Sequence, residues 1–306
     1  MTTRERQPFP LPWLERLAEG GALPILAVVA ALLAVWYVGA VWLNAPQVID
    51  RYARAGTTDW TLGQLIDDTL AMDRPVLPAP HQILAELDKT VLEVAPSSRR
   101  SLVYHGWVTL SSALLGFAFG TVLGIALAVG IVHLRTLERS LMPWIIASQT
   151  VPILAIAPMI IVVLGSLGMV GLVPKAIISA YLCFFPVTIG MVKGLTSPDP
   201  LQLDLIRTYS ASEAQIFRKL RWPSSMSFLF ASLKVAIALA IVGAIVGELP
   251  TGAQAGLGAR LLTGSYYGQT VQIWAALIVA AVVAALSVAA VGLAERLTLE
   301  RMGGRP

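Results

Sequence analysis

The sequence predicts an all-α integral membrane protein with six transmembrane helices, and three observations carry that expectation. Hydrophobic residues make up 56% of the chain against 13% charged, and mean hydropathy is +0.73, well beyond ordinary soluble domains. The apolar residues fall into separate runs long enough to cross a bilayer, which takes about 20 residues of helix. Lysine and arginine gather in the short segments on one side of those runs.

Residues 1–21 are polar, setting Arg4, Arg6 and Arg16 against Glu5, Glu15 and Glu19, with prolines at 8, 10 and 12 that make the start irregular. The charge-free run 22–43 is the first expected span. It is longer than a signal-peptide core and lacks a small-x-small exit, so it reads as a retained helix. Residues 44–105 are too mixed to cross. Pro75, Pro78 and Pro80 interrupt them, and the pattern predicts an amphipathic helix over 82–94. The second span is 106–132, where Gly116, Gly120 and Gly124 share one face at the spacing that lets membrane helices approach closely.

No charge occurs between Ser140 and Pro174, a stretch too long for one helix. The segment GSLGMVG at 165–171 is the expected break between a third span, 141–164, and a fourth, 172–192. The third carries Ser148, Gln149, Thr150, Pro152 and Pro158. Polar groups at membrane depth need partners in the protein or in a water-filled path, so Ser148, Gln149 and Thr150 have two equal readings, path lining or interhelical hydrogen bonding. Lys175 lies near a span end, where a lysine can snorkel. The fifth span, 226–247, holds Lys234, whose cost of roughly 2.5–3.5 kcal/mol at membrane depth snorkelling would reduce. A glycine-rich loop over 248–270 opens with Glu248, a further candidate for the path, and the sixth span, 271–294, precedes a basic tail at 296–306.

Segment 197–223, SPDPLQLDLIRTYSASEAQIFRKLRWP, is the sizeable charged stretch of the second half. Asp199, Pro200 and Gln202 fit the N-cap, first and third positions of a short helix, with Leu201, Leu205 and Tyr209 on one side. Ser212 and Gln215 cap a second short helix, with Ile216, Phe217 and Leu220 on one side, Arg218, Lys219 and Arg221 around the rest, and Pro223 expected to stop it. Such a pair fits a grip for another protein; short basic amphipathic helices also lie on lipid surfaces. Six spans with the N-terminus inside place Arg4, Arg6, Arg16, Arg135, Arg139, Lys193, Arg207, Arg218, Lys219, Arg221, Arg296, Arg301 and Arg305 on the cytoplasmic side, leaving Arg260 in the two short outer loops; the long first outer loop holds several more, but long loops orient weakly.

This segment resembles the EAA loop of ABC importer permeases, whose Glu-Ala-Ala, Gly and Ile-x-Leu-Pro fall on Asp204-Leu205-Ile206, Ser210, and Leu220 to Pro223. Acid, spacing and proline are kept, while the glycine and both alanines are not. Three further segments extend the resemblance across about Val76 to Leu297, to the nitrate/sulfonate/taurine type of permease. They are VPILAIAP at 151–158, FFP at 184–186 before Gly190 and Gly194, and Glu248 followed by Gly256-Leu257-Gly258. The resemblance implies a type I importer (MetI-like) fold with a permease core over 106–295 and a coupling loop at 197–223. It implies ATPase coupling through Asp204, Leu205, Ile206, Tyr209, Ser210, Phe217, Leu220 and Pro223, and a translocation path for which Ser148, Gln149, Thr150 and Glu248 are the candidates. It further implies residence in the bacterial inner membrane with both termini cytoplasmic and residues 44–105 periplasmic. The partners implied are a cytosolic ABC ATPase dimer, a second permease copy or homologue, and a periplasmic or lipid-anchored substrate-binding protein. ATP and Mg belong to the ATPase, since this chain has no G-x-x-x-x-G-K-[ST] loop and is expected to bind no cofactor itself. The loop and the 247–270 segment look most like permeases for pyrimidine-type or related heterocycles, with sulfonate, taurine or nitrate next.

Other classes fare less well. A secondary transporter or channel would carry ionisable groups deep in several spans, where Lys234 is nearly alone. A membrane enzyme would need clustered acids, histidines or a nucleophile–base pair, and the spans offer none. His81, His105 and His133 fall outside the spans or at their edges, where solvated or capping roles are expected. The single Cys183 excludes an internal disulfide, and a net charge of +4 spread over loops is no nucleic-acid surface.

Overall fold

A computed structural model describes residues 22–250 and 253–303, so the expected tail 1–21, with Arg4, Arg6 and Arg16, and Arg305 lie outside the described residues. Two compact units divide the chain, Met1–Glu86 and Leu87–Pro306.

The first unit contains α1 (Ala22–Ala55), α2 (Leu62–Leu70) and the start of α3 (Pro80–Leu87). Helix α1 does not end at residue 43 as its hydropathy suggests, but runs on through Pro46 into a polar end carrying Asp50, Arg51 and Arg54. Asn44 explains the continuation. Its side chain is buried, donates to the Leu77 carbonyl at 2.9 Å and accepts from the Val76 and Leu77 N–H groups at 2.7 and 3.2 Å. The Trp36 indole donates to the Pro78 carbonyl at 3.0 Å, so the proline-rich segment of residues 75–78 is held along the helix side. Thr61 and Gln64 form a capping box at α2, whose Asp68 accepts from Tyr52 and pairs with Arg51.

The second unit begins with a π-helical turn, Asp88–Glu93, so the helix expected over 82–94 is divided between α3 and this turn. There follow α4 (Leu102–His133), α5 (Arg135–Ser148), α6 (Ile153–Ser166), α7 (Leu172–Leu195), α8 (Pro200–Thr208), α9 (Glu213–Ile216), α10 (Trp222–Glu248), α11 (Leu257–Tyr266) and α12 (Thr270–Arg301). Helix α7 is the centre. Gly116, Gly120 and Gly124 of α4 press against Ser179, Cys183 and Val187 in the same order, so α4 and α7 run parallel. Against α10 the order reverses: the Ser179 hydroxyl donates to the Ala240 carbonyl at 2.9 Å, Cys183 lies 3.1 Å from the Ala236 carbonyl, and Gly194 meets Ser225. Around these contacts lies an apolar core that includes Ala113, Ala128, Val187, Met191, Leu195, Leu229, Ile237 and Ile241.

Parallel packing of α4 and α7 has a topological consequence. Both start at the same membrane face, so the chain between His133 and Leu172 must return across the bilayer. That return is made by α5 and α6, which are bent by 101° at their junction instead of forming the straight span expected over 141–164. Pro152 lacks the N–H that would continue α5, and the N–H groups of Gln149 and Thr150 already bond three residues back, at 3.2 and 3.0 Å. With α1, whose apolar window is also long enough to cross, the described residues hold six spans when the bent pair is one of them.

Lys234 does not snorkel alone; its Nζ pairs with Glu295 of α12 at 2.5 Å, tying α10 to α12 at a half-exposed position. Close helix contact makes the α4 glycines sensitive. A Cβ at Gly120 would stand 2.6 Å from Cys183 Cβ and 2.8 Å from the Ala180 carbonyl, and backbone cannot move aside. Gly120→Val is therefore expected to cost about 3 kcal/mol or more through overpacking. Fluorescence-detected size-exclusion chromatography should show loss of the monodisperse peak, while Gly165→Ala in α6, which has open space around it, leaves the peak unchanged.

Candidate functional site

Two constructions stand at opposite ends of the second unit. At one end, α8 and α9 form the turn between α7 and α10. Asp199 caps α8 by accepting the Leu201 N–H at 2.7 Å, without the reciprocal bond expected from Gln202. Ser212 and Gln215 do form the expected capping box, with bonds of 2.8 and 3.3 Å. Between the helices Ser210 takes φ +55°, the left-handed conformation that the glycine of the EAA pattern would supply. It is the one non-glycine residue with positive φ among the described residues. Ser210→Gly is expected to stabilise this turn by about 1 kcal/mol, read as slower protease nicking at the loop, where Ser210→Val accelerates it.

One face of α8 does not pack into the protein, while Leu203 and Ile206 on the other are half-buried. Leu201, Leu205 and Tyr209 are 77%, 59% and 79% exposed and form an apolar stripe at four-residue spacing. Arg207 lies 3.6 Å from Asp204 and 3.7 Å from Glu213, bridging α8 to the start of α9. Exposed pairs of this kind add little stability, so they act mainly to orient the turn. The residues on the α9 side face inward instead. Ile216 is buried, and the Phe217 ring packs between His133 and Trp222, with centroid distances of 5.2 and 5.9 Å. Ile206, Leu220 and Pro223 are half-buried. The residues singled out from sequence thus divide into an outward set, Asp204, Leu205, Tyr209 and Ser210, and an inward set that includes Phe217.

Pro223 does not stop the second helix. A π-helical turn, Phe217–Arg221, joins α9 to α10, with the Trp222 N–H bonding the Phe217 carbonyl five residues back. The proline then occupies the first turn of α10, where its missing N–H is tolerated. The helical run Glu213–Glu248 is therefore continuous over 36 residues, roughly 54 Å at 1.5 Å per residue.

Its far end is Glu248, fully buried. Lys175 of α7, 6% exposed, approaches Glu248 Oε1 at 3.3 Å, and the Thr109 hydroxyl of α4 lies 3.0 Å from each carboxylate oxygen. The Gly258 N–H donates to Oε2 at 2.8 Å, and the Leu257 N–H donates to the Thr109 oxygen at 2.8 Å. Gly256 donates to His105 Nδ1 at 2.9 Å, so the proton on Nε2 serves the Arg99 carbonyl at 2.9 Å. Three donors around one carboxylate, the Thr109 hydroxyl, the Lys175 ammonium and the Gly258 N–H, replace water it has lost. The glycines are required by geometry: Gly256 has φ +122°, and a Cβ there would enter the Glu248 carboxylate. Lys175 is thus not a snorkelling residue, and His105 is neither solvated nor a helix cap. His81 bonds Tyr37, and His133 bonds the Val129 carbonyl in the last turn of α4.

Sequence reading missed Thr109, Lys175 and His105. An acid and a lysine near the ends of separate spans are a signal, since intramembrane charges pair, but local pattern does not say which charges meet. Ser148, Gln149 and Thr150 stand at the α5–α6 bend. The Ser148 carbonyl accepts from Tyr181 at 2.5 Å, and the Ser148 and Thr150 hydroxyls bond Ile145 and Ala147, so none of these bonds reaches the Glu248 cluster. Beside that cluster opens a cavity of about 600 Å³, with Lys175 and Ala255 in its wall. Among the described residues no group of three metal-binding side chains occurs.

Comparison with known proteins matches residues 120–302 to the family described as binding-protein-dependent transport system inner membrane component. The formylaminopyrimidine transport permease protein ThiX of Halalkalibacterium halodurans is 33% identical over 183 residues, covering 60% of this chain and 68% of that relative. The riboflavin transport system permease protein RibX of Chloroflexus aurantiacus is 33% identical over 193 residues, 63% of this chain and 70% of its own length. The nitrate import permease protein NrtB of Synechocystis is 23% identical over 180 residues, with coverages of 58% and 64%. A helical turn exposed between two spans, a buried cluster closed by a Gly-Leu-Gly segment and this match agree, and the chain belongs to the binding-protein-dependent transport system inner membrane component family, as a multi-pass ABC transporter permease of MetI-like fold.

Proposed function

We propose that this chain is the non-catalytic permease subunit of an ATP-driven, binding-protein-dependent importer of the bacterial inner membrane, and that the α8 stripe is where a cytosolic ATPase docks. The observation that carries this reading is the outward stripe Leu201, Leu205 and Tyr209 on a capped helix between two spans. Orientation follows from charge: Arg135, Arg139, Lys193, Arg207, Arg218, Lys219, Arg221, Arg296 and Arg301 lie at the α8 end, which supports a cytoplasmic placement. Two such permeases, or this one and a homologue, would share an ATPase dimer that uses ATP and Mg, and receive solute from a periplasmic or lipid-anchored binding protein.

The coupling runs through rigid parts. Movement of the docked α8 is passed by the Arg207 bridge and the π turn into α10, whose far end carries Glu248. A π turn is a natural place for a helix to change its pitch under load. Shifting α10 disturbs the bonds of Glu248 to Thr109, Lys175 and Gly258, so nucleotide state at one face is read at the other. The solute is a small polar organic compound, a pyrimidine-type heterocycle first, with sulfonate, taurine or nitrate next; the formylaminopyrimidine and riboflavin after which ThiX and RibX are named support that order.

Purification of the tagged protein from its native membrane in mild detergent tests this reading. An ABC ATPase is expected to co-purify. Transport in ATP-free vesicles with no ATPase recovered would overturn it in favour of a secondary transporter.

A further inference from the structure

We propose that the cavity beside the Glu248 cluster is a solute-binding site of the permease itself, built for a small planar heterocycle with carbonyl or anionic acceptor groups. This rests on the permease reading and adds to it a site within this chain. The cavity, about 600 Å³, falls in the usual range for small-molecule sites, about 300–1,000 Å³. Among the described residues its wall includes Arg99, Tyr104, Trp107, Ser111, Lys175 and Gln254, and no acidic residue.

Each wall element contributes to one ligand chemistry. Lys175 is buried, and its ammonium reaches Glu248 and the Ala255 carbonyl, both at 3.3 Å. An ammonium has three N–H donors, so these bonds leave one for a ligand acceptor. Arg99, exposed and with its backbone carbonyl held by His105, is a second cationic residue of the wall, with a planar set of donors. The start of α7 also lines the cavity through Gly171, Leu172 and Pro174, and no side chain caps that N-terminus, so its partial positive charge points the same way. Tyr104 and Trp107 sit one turn apart on α4 and offer flat apolar faces. Cations, helix N-terminus and aromatics together favour a ring with electron-rich edges. A cationic solute would meet two positive side chains without an acid in the wall.

The site adjoins the far end of the coupling path. A ligand drawing the Lys175 ammonium toward the cavity would compete with the Glu248 contact, and Glu248 ends the helix that begins at the docking turn. Occupancy would then bias the same bonds that the ATPase moves.

Full-length permease in lipid nanodiscs, without ATPase or binding protein, is titrated with radiolabelled uracil, riboflavin and taurine. Saturable binding of uracil or riboflavin is expected, weakened about tenfold by Arg99→Ala and about fivefold by Trp107→Ala, with both variants monodisperse. Saturable binding of none of the three, of taurine alone, or with equal affinity in both variants would overturn the proposal. ATP-driven uptake by the assembled importer is measured in parallel. Unimpaired uptake in both variants overturns the site while leaving the permease reading intact; ATP-independent uptake by the wild type overturns the permease reading itself.

Discussion

Glu248→Ala is expected to abolish a stable permease, with a loss of about 3–5 kcal/mol, the range for removing one partner of a buried ion pair. The reason is local. The substitution leaves the buried Lys175 ammonium facing an empty site and removes the acceptor for Thr109 and the Gly258 N–H. Thermal scanning in detergent should show a large fall in Tm, or no folded peak at all. Two further variants separate charge from shape. Glu248→Gln alone keeps an acceptor but still strands the lysine, and should recover only part of the loss. Combined with Lys175→Met, no buried charge remains, and stability should return to near wild type, since replacing both members of a buried pair is often close to neutral. Should the double variant be no better than Glu248→Ala, the ion pair would not be what makes this position critical.

The second large effect is expected at the other end of the molecule. Leu205→Glu with Tyr209→Ala should remove ATPase co-purification, an affinity loss of at least about thirtyfold, because truncated anchors in an interface cost about 2 kcal/mol or more. Both side chains are exposed in the chain by itself, so Tm should change little. Phe217→Ala should behave in the opposite way. Its ring fills the space between His133 and Trp222, so Tm should fall by several degrees, as for a partly buried aromatic, with ATPase binding reduced only as the turn loosens. Equal loss of binding in both variants without any change in Tm would place Phe217 at the interface. Asp204→Lys should weaken coupling less than the apolar pair, since Asp204 is a rim charge held to Arg207.

The elements themselves were largely legible in the chain. Hydropathy located the apolar runs because a bilayer demands long helices with internally satisfied backbones, a constraint that acts locally. Capping at Asp199 and Ser212 was readable for the same reason: the donor and acceptor lie within three residues of each other. The four-residue spacing of Gly116, Gly120 and Gly124 announced a close helix contact, although not that α7 would be the partner.

What the sequence by itself determined was therefore everything set by neighbours along the chain: the apolar spans, the capped turn and its apolar stripe. Tertiary structure decided the rest. Helix α1 runs past its apolar stretch where a distant partner satisfies a side chain, as Asn44 does with Val76 and Leu77. Parallel packing of α4 and α7 made the 135–166 segment a return crossing, while its 101° bend lies where Pro152 interrupts the helix. Lys175 and Glu248 are separated by 73 residues, and Thr109 and Glu248 by 139. No local pattern can pair groups so far apart. Only packing three helices on one another places the lysine against the glutamate, and the low dielectric between the helices makes that contact matter.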